Sequence, residues 1–219
     1  MQNAIGFLKA LKSNNNKEWF EKNKANYLAS KEEFEVLIDK LIKGIGKFDK
    51  KISPQLKARD CTFRIYKDVR FSKDKTPYKT NMGASMNPGG KKSPVAGYYF
   101  HLEPGASFLA GGMYMPEPEM LSAIRQEIDY NPDTLLKIMK SASFKKYFKG
   151  LDEIDKLKTA PKGYAKDHVH LGLLQHKHFI VSHPISDKQL LDKKMDTFVL
   201  SGFQAMLPFL EFLRQATAI

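Results

Sequence analysis

The sequence predicts an α+β fold: an antiparallel sheet of about five strands with long helices packed on one face. Three observations predict it. Apolar residues recur at helical spacing over residues 4–47 and again over residues 187–215. Between Thr62 and Met115 the texture changes to alternation, which places successive side chains on opposite faces of a strand. Short turn signals, Pro88-Gly89-Gly90 and Pro104-Gly105, separate the alternating runs. Connections that brief favour a meander over parallel crossovers. Residues 1–219 read as one domain, with a helical part at 1–52, a sheet-forming centre at 60–116 and a helical and mixed part at 117–219.

Residues 4–12 form a short helix with Ile5, Leu8 and Leu11 on one face, and Asn14, Asn15 and Asn16 break it. Asn16 can accept the first free amide hydrogens of a second helix, expected over 17–47. There Trp19, Phe20, Tyr27, Phe34, Leu37, Ile38, Leu41 and Ile45 form a stripe that reads as core packing. Strands are expected at 62–66, 81–87, 97–103, 107–115 and 179–183. Alternation assigns Phe63, Ile65, Met82, Ala84, Met86, Tyr98, Phe100 and Leu102 to a face covered by helices. Arg64, Tyr66, Asn81, Ser85, Tyr99, His101 and Glu103 fall on a mixed face left to solvent or ligand. Gly111 and Gly112 inside a strand mark a bulge or the close approach of another backbone. Helices follow at 119–129, 132–140 and 143–148, with Pro132 in a first turn that tolerates it. One helical turn fits 171–174, and Pro208 should kink or split a closing helix over 187–215.

The chain has 219 residues, a formal net charge of +12 and a single cysteine, Cys61. One cysteine excludes an intrachain disulfide framework, and Cys61 reads as a small buried hydrophobe. No apolar run approaches the ~18 residues of a membrane span. Met1 is followed by polar Gln2 and Asn3 rather than an apolar leader, so a cytoplasmic protein is expected. The charge is concentrated. Residues 57–92 hold ten Lys and Arg against three Asp, more than half of the excess in a sixth of the chain.

That concentration defines the first candidate site. Arg64, Arg70, Lys75 and Lys79, interleaved with Tyr78 and adjoined by Tyr99, have the chemistry to pin phosphate or carboxylate oxygens, arginine bidentately. The competing reading pairs Arg64 and Arg70 with Asp60, Asp68 or Asp74 and leaves the lysines solvated. The second candidate is His101 with Glu103, two residues apart on one strand face, as an acid–base pair. The third is histidine-rich: His168, His170, His176, His178 and His183 lie within 16 residues. It lacks the His-Glu-x-x-His pattern and Lys177 interrupts it, so no metal and no cofactor is expected. There is no Walker loop, dinucleotide-binding glycine motif, nucleophile elbow or CxxC.

The run Phe63-Arg64-Ile65-Tyr66, followed by Asp68-Val69-Arg70-Phe71-Ser72-Lys73-Asp74-Lys75-Thr76-Pro77-Tyr78-Lys79-Thr80, resembles the signature of an uncharacterised family, domain of unknown function 2461. Residues 8–20 with their Trp-Phe pair, residues 99–104 leading to Gly111-Gly112-Met113-Tyr114, and residues 161–179 resemble it as well. Val169 stands where that pattern has proline, and Gln175-His176 where it has a more basic pair. The resemblance implies one family-wide domain and no particular activity. Taken with the residues, the expected ligand is an anionic small molecule, with a nucleic acid bound through the same basic patch as the second reading and a protein-interaction module as the third.

Overall fold

A computed structural model describes residues 1–218. The chain opens with α1 (Gln2–Ser13), α2 (Lys17–Lys22) and α3 (Lys24–Ile45). The Asn16 side chain accepts the Trp19 N–H at 2.9 Å, which caps α2. The helix expected over 17–47 is two helices. Asn23 bonds its side chain back to the Trp19 carbonyl at 2.9 Å, and its backbone leaves helical geometry at φ −107°, ψ 18°. A one-turn α4 (Ala58–Cys61) then leads to the sheet.

The sheet holds β1 (Met82–Met86), β2 (Gly97–Leu102), β3 (Ser107–Met113) and, after α5 (Pro118–Tyr130), α6 (Pro132–Lys140), α7 (Ala142–Lys145) and α8 (Leu171–Leu174), the last strand β4 (Phe179–Ile185). Its order is β1-β2-β3-β4, every pair antiparallel. Short α9 (Asp187–Leu190) and long α10 (Met195–Ala216) close the chain, with Pro208 inside α10 rather than at a break.

The sheet has four strands, not five. The segment expected as a first strand, 62–66, makes one bridge to β1, Thr62 with Ala84, and then turns away. Its later amides and carbonyls pair with its own return. Lys79 N–H reaches the Ile65 carbonyl at 2.8 Å, and Lys67 N–H reaches that of Pro77 at 2.9 Å. The Thr62 carbonyl takes the Lys91 ammonium at 2.7 Å instead of a strand. Alternation therefore predicts side-chain direction for Ile65, which is buried, but not for Phe63, which is 44% exposed.

Register sets the two faces. Met82, Ala84 and Met86 lie opposite Leu102, Phe100 and Tyr98, and all six are buried. Leu109 and Val181 extend that apolar face across β3 and β4. Against it lies α10, close enough that a Cβ on Gly111 would stand 2.3 Å from the Met206 sulfur. Of the two glycines of β3, Gly112 marks the close approach of another backbone, since a Cβ there would stand 2.0 Å from the Phe179 carbonyl oxygen of β4, while Gly111 makes room for the Met206 side chain of α10. One apolar cluster runs from Ala4 to Leu213. Among the described residues no helix is long and apolar enough to cross a membrane.

One polar group crosses this core. Arg214 of α10 donates from Nη1 to Asp49 Oδ2 at 2.8 Å and from Nε to the Ala96 carbonyl at 2.9 Å. The Tyr98 hydroxyl donates to the same Asp49 oxygen at 2.9 Å. The arginine and aspartate side chains are 1% and 3% exposed. Removing one partner strands the other charge in the core. Arg214→Ala is expected to cost about 3–5 kcal/mol in denaturant unfolding. Tyr98→Phe, which deletes one hydrogen bond, should cost about 1 kcal/mol. Equal losses would mean that the charge on Asp49 is not what the arginine compensates. Cys61 is fully buried, and burial pushes its thiol up to about 12. Since the thiolate is the reactive form, thiol reagents should label it only at the rate of unfolding. Rapid labelling of the native protein would contradict this.

Candidate functional site

The face of the sheet away from the helices forms the floor of a cleft of about 1210 Å³. Antiparallel pairing lines up Ser85, Tyr99, Ala110 and Ser182 across the four strands, with Gly83, His101 and Phe108 in the adjoining row. These are the residues that alternation turns away from the core. Inward Tyr98 and Phe100 force Tyr99 and His101 outward.

Tyr99, His101 and Glu103 form a hydrogen-bonded chain along β2 and its end. The Tyr99 hydroxyl lies 3.0 Å from His101 Nδ1, and His101 Nε2 lies 3.1 Å from Glu103 Oε2. An ionised carboxylate only accepts, so Nε2 carries the hydrogen, and Nδ1 is left to accept from the tyrosine. The imidazole stacks on Phe108, with centroids 4.6 Å apart and planes at 13°, which fixes its tilt. Burial, and then the Glu103 charge, push the Tyr99 hydroxyl up to about 12. Gly83 makes the arrangement possible, because a Cβ there would sit 2.5 Å from the Tyr99 hydroxyl oxygen.

The wall beside β1 is basic. Arg64 and Lys79 line the cleft, and neither has a carboxylate partner among the described residues. Lys79 stands 5.9 Å from the Phe63 ring, and partial burial followed by repulsion from Arg64 lowers its ammonium pKa. A clamp far away in sequence holds this wall. Asn15 accepts the Tyr78 N–H at 3.1 Å and donates to the Tyr78 carbonyl at 2.8 Å. The buried Tyr78 ring stacks on Phe20 at 3.9 Å. Tyr78 is thus an anchor under the helices, outside the cleft.

Other expected cations are placed elsewhere. Arg70 chelates Asp68, with Nε to Oδ1 at 2.9 Å and Nη2 to Oδ2 at 2.6 Å, and these bonds hold the Asp68 carboxyl below its usual range. Lys75 donates to the Val69 carbonyl at 3.0 Å. Neither lines the cleft, and Glu103 reaches it only through His101. Of the proposed aspartate pairings, Arg70 makes one and Arg64 does not. Lys67, which does line the cleft, is tied to Asp74.

The opposite wall was not anticipated. Asp152 lies alongside β4, its N–H donating to the Ile180 carbonyl at 2.9 Å. Burial pushes its carboxyl up, against hydrogen bonds from the Ser182 side chain and backbone that lower it. Tyr114 and Met115 complete this side, with Met115 at a left-handed φ of 50°. His178 stabilises that turn. It accepts the Met115 N–H at Nδ1 (2.9 Å) and stacks on Tyr114 at 4.7 Å. No local pattern marks Asp152, since its place depends on pairing with a strand some thirty residues later.

The histidine-rich region disperses. His168 Nε2 meets Asp129 Oδ1 at 2.8 Å, while its Nδ1 accepts the His170 N–H at 3.0 Å. His183 bonds the Tyr147 carbonyl at 2.7 Å, and His176 is buried. Among the described residues no three potential ligands gather around one point.

A protein-family profile described as conserved hypothetical protein (DUF2461) matches residues 3–212. No curated protein and no solved structure matches the chain.

The buried carboxyl of Asp152 gives a pH test. It holds its proton to higher pH in the folded chain than in the unfolded one. The folded state is favoured at low pH, and that advantage is lost as pH rises from the ordinary carboxylate range, about 4, through the raised folded value. Asp152→Asn should therefore raise the melting temperature at neutral pH and leave it unchanged near pH 4. A lower melting temperature at pH 7 would show that the bonds from Ser182 outweigh the cost of burial.

Proposed function

We propose, for a chain that belongs to the DUF2461 family of conserved hypothetical proteins, that the cleft binds a phosphorylated or carboxylated small molecule and moves a proton on it. One observation carries this reading. Two cations without carboxylate partners, Arg64 and Lys79, converge on the cleft that also contains the Tyr99–His101–Glu103 chain. Cations held at a concave wall, partly shielded from water, attract an anion more strongly than solvated surface lysines do. A nucleic acid would call for a long basic face, whereas here the paired Lys67 and Arg70 contribute little and the floor includes Phe108 and Ala110.

The side chains divide the work. Arg64, able to bind two oxygens at once, and Lys79 hold the anionic group. The Tyr99 oxygen faces the ligand while its hydrogen is directed at His101. A ligand group that gives its proton to that oxygen is matched by passage of the tyrosine proton to Nδ1. Glu103 keeps the imidazole in the accepting tautomer and stabilises the imidazolium that forms. Reversal of the same path returns the proton.

Thermal unfolding in the presence of matched phosphate and carboxylate panels tests the binding step. A ligand at about 100 times its Kd stabilises by about 2.7 kcal/mol, which is a rise of roughly 5–10 °C for a chain of this size. Arg64→Ala should abolish the rise. Arg70→Ala should leave most of it in place, because Arg70 does not itself line the cleft and is committed to Asp68 at its edge. No rise for the wild type across both panels, or equal loss in the two variants, would overturn the reading. Tyr99→Phe should retain the rise and lose proton exchange on the bound ligand.

A further inference from the structure

The wall that faces Arg64 and Lys79 holds a carboxylate with no cation of its own. Asp152 lines the cleft, and among the described residues no lysine, arginine or histidine pairs with it. This is unusual company for a chain with net charge +12. Neighbouring Glu153 takes Lys156 at 3.0 Å, and Asp155 takes Lys177 at 2.9 Å, so the cations of this segment go to its exposed carboxylates. The Ser182 hydroxyl and N–H lie on the Asp152 side of β4 and lower the carboxyl pKa against the effect of burial. A carboxylate offers about four acceptor positions, so capacity remains on the side that faces the cleft.

The floor between the two walls carries apolar or small residues, Phe108, Ala110 and Gly112, beside Ser85, Tyr99, His101 and Ser182. The basic wall stands beside β1 and Asp152 beside β4. Three strand spacings separate the outer strands, and the segments that carry Arg64 and Asp152 lie one spacing further out on either side, through Phe63 N–H to the Gly83 carbonyl and Asp152 N–H to the Ile180 carbonyl, so about 24 Å separates the two backbones, with long side chains reaching inward from the basic wall. An extended molecule can therefore touch both walls at once.

Resting on the anion-binding reading above, we propose that the ligand is bipolar: it carries a protonated amine that Asp152 receives at the β4 side while Arg64 and Lys79 hold its phosphate or carboxylate at the β1 side. An ammonium placed there supplies the charge that Asp152 lacks and occupies its free acceptor positions. Ser182, whose N–H and hydroxyl act on that carboxylate, is a positioning residue. The arrangement also selects against simple dianions, since a second phosphate at the far wall would face Asp152, and Glu117 adds a further carboxylate to the cleft lining.

The experiment uses ω-aminoalkyl phosphates of increasing length, each against the alkyl phosphate of the same length, with melting temperature as the readout. In the wild type the best aminoalkyl phosphate should bind about tenfold more tightly than its partner, a rise larger by about 3–5 °C. Asp152→Asn should bring the two probes level while the alkyl phosphate response persists. Arg64→Ala should weaken both. Ser182→Ala should narrow the gap and so confirm the far wall by a variant that leaves Asp152 in place. Equal stabilisation of the wild type by both probes at every length would overturn the bipolar ligand and leave anion binding standing. No stabilisation by either would overturn both.

Discussion

A guanidinium with almost no exposure ties three distant parts of the chain together. Arg214 lies in the last helix, Asp49 in the loop after α3, and Ala96 and Tyr98 at the start of β2. Taking both charges out of water costs several kcal/mol each, which is recovered only when geometry and additional hydrogen bonds are favourable. The bonds from Tyr98 and to Ala96 supply part of them, while Arg214 Nη2 has no partner among the described residues. Because this network pulls Tyr98 inward, alternation turns Tyr99 and His101 outward. The helical side of the core thus dictates which residues of β2 face the cleft, although no side chain of the network belongs to its chemistry.

A second constraint works from the other end of the chain. The turn between α1 and α2 supplies Asn15, whose amide closes on both backbone polar groups of Tyr78. Phe20 holds the Tyr78 ring from below. The next residue, Lys79, is therefore delivered to the cleft by two helices rather than by a strand. Inside the same loop, Asp68 and Asp74 neutralise Arg70 and Lys67. These local pairs decide which of the loop's cations at the cleft remain without a carboxylate, and they leave Arg64 and Lys79.

The cleft combines a mixed floor, Phe108 and Ala110 beside Tyr99 and His101, with unlike charges at its two ends. Partial burial strengthens each interaction made there and makes each unpaired group more costly. The lowered pKa of Lys79 and the raised pKa of Asp152 are two signs of that environment, one from each wall. Between them, the stacked and doubly bonded imidazole of His101 has little rotational freedom, which suits a group that must present one nitrogen in one direction.

Much of this was legible in the sequence. Asn16 declares a cap because a short polar side chain satisfies free amides wherever a helix begins. The alternation Tyr98-Tyr99-Phe100-His101-Leu102 declares an inner and an outer face because the strand period is two. Together these give an α+β fold and place Tyr99 and His101 on the open face. The same alternation in Thr62–Tyr66 misleads, since direction is local while ladder formation needs a partner edge, and here the partner is the loop's own return. Asp68 is two residues from Arg70 and four from Arg64 in the chain, so spacing leaves either pairing open, and the turn of the folded loop chooses Arg70. Asp152, Asn15 and Arg214 carry no periodic signal at all. Their partners lie about 30, 60 and 165 residues away. By itself the sequence determined the faces of the strands and the starts of the helices, because local sterics and free backbone groups specify them. Only the tertiary structure decided which charges stay unpaired around the cleft, because pairing depends on where the closed chain brings groups that the sequence keeps apart.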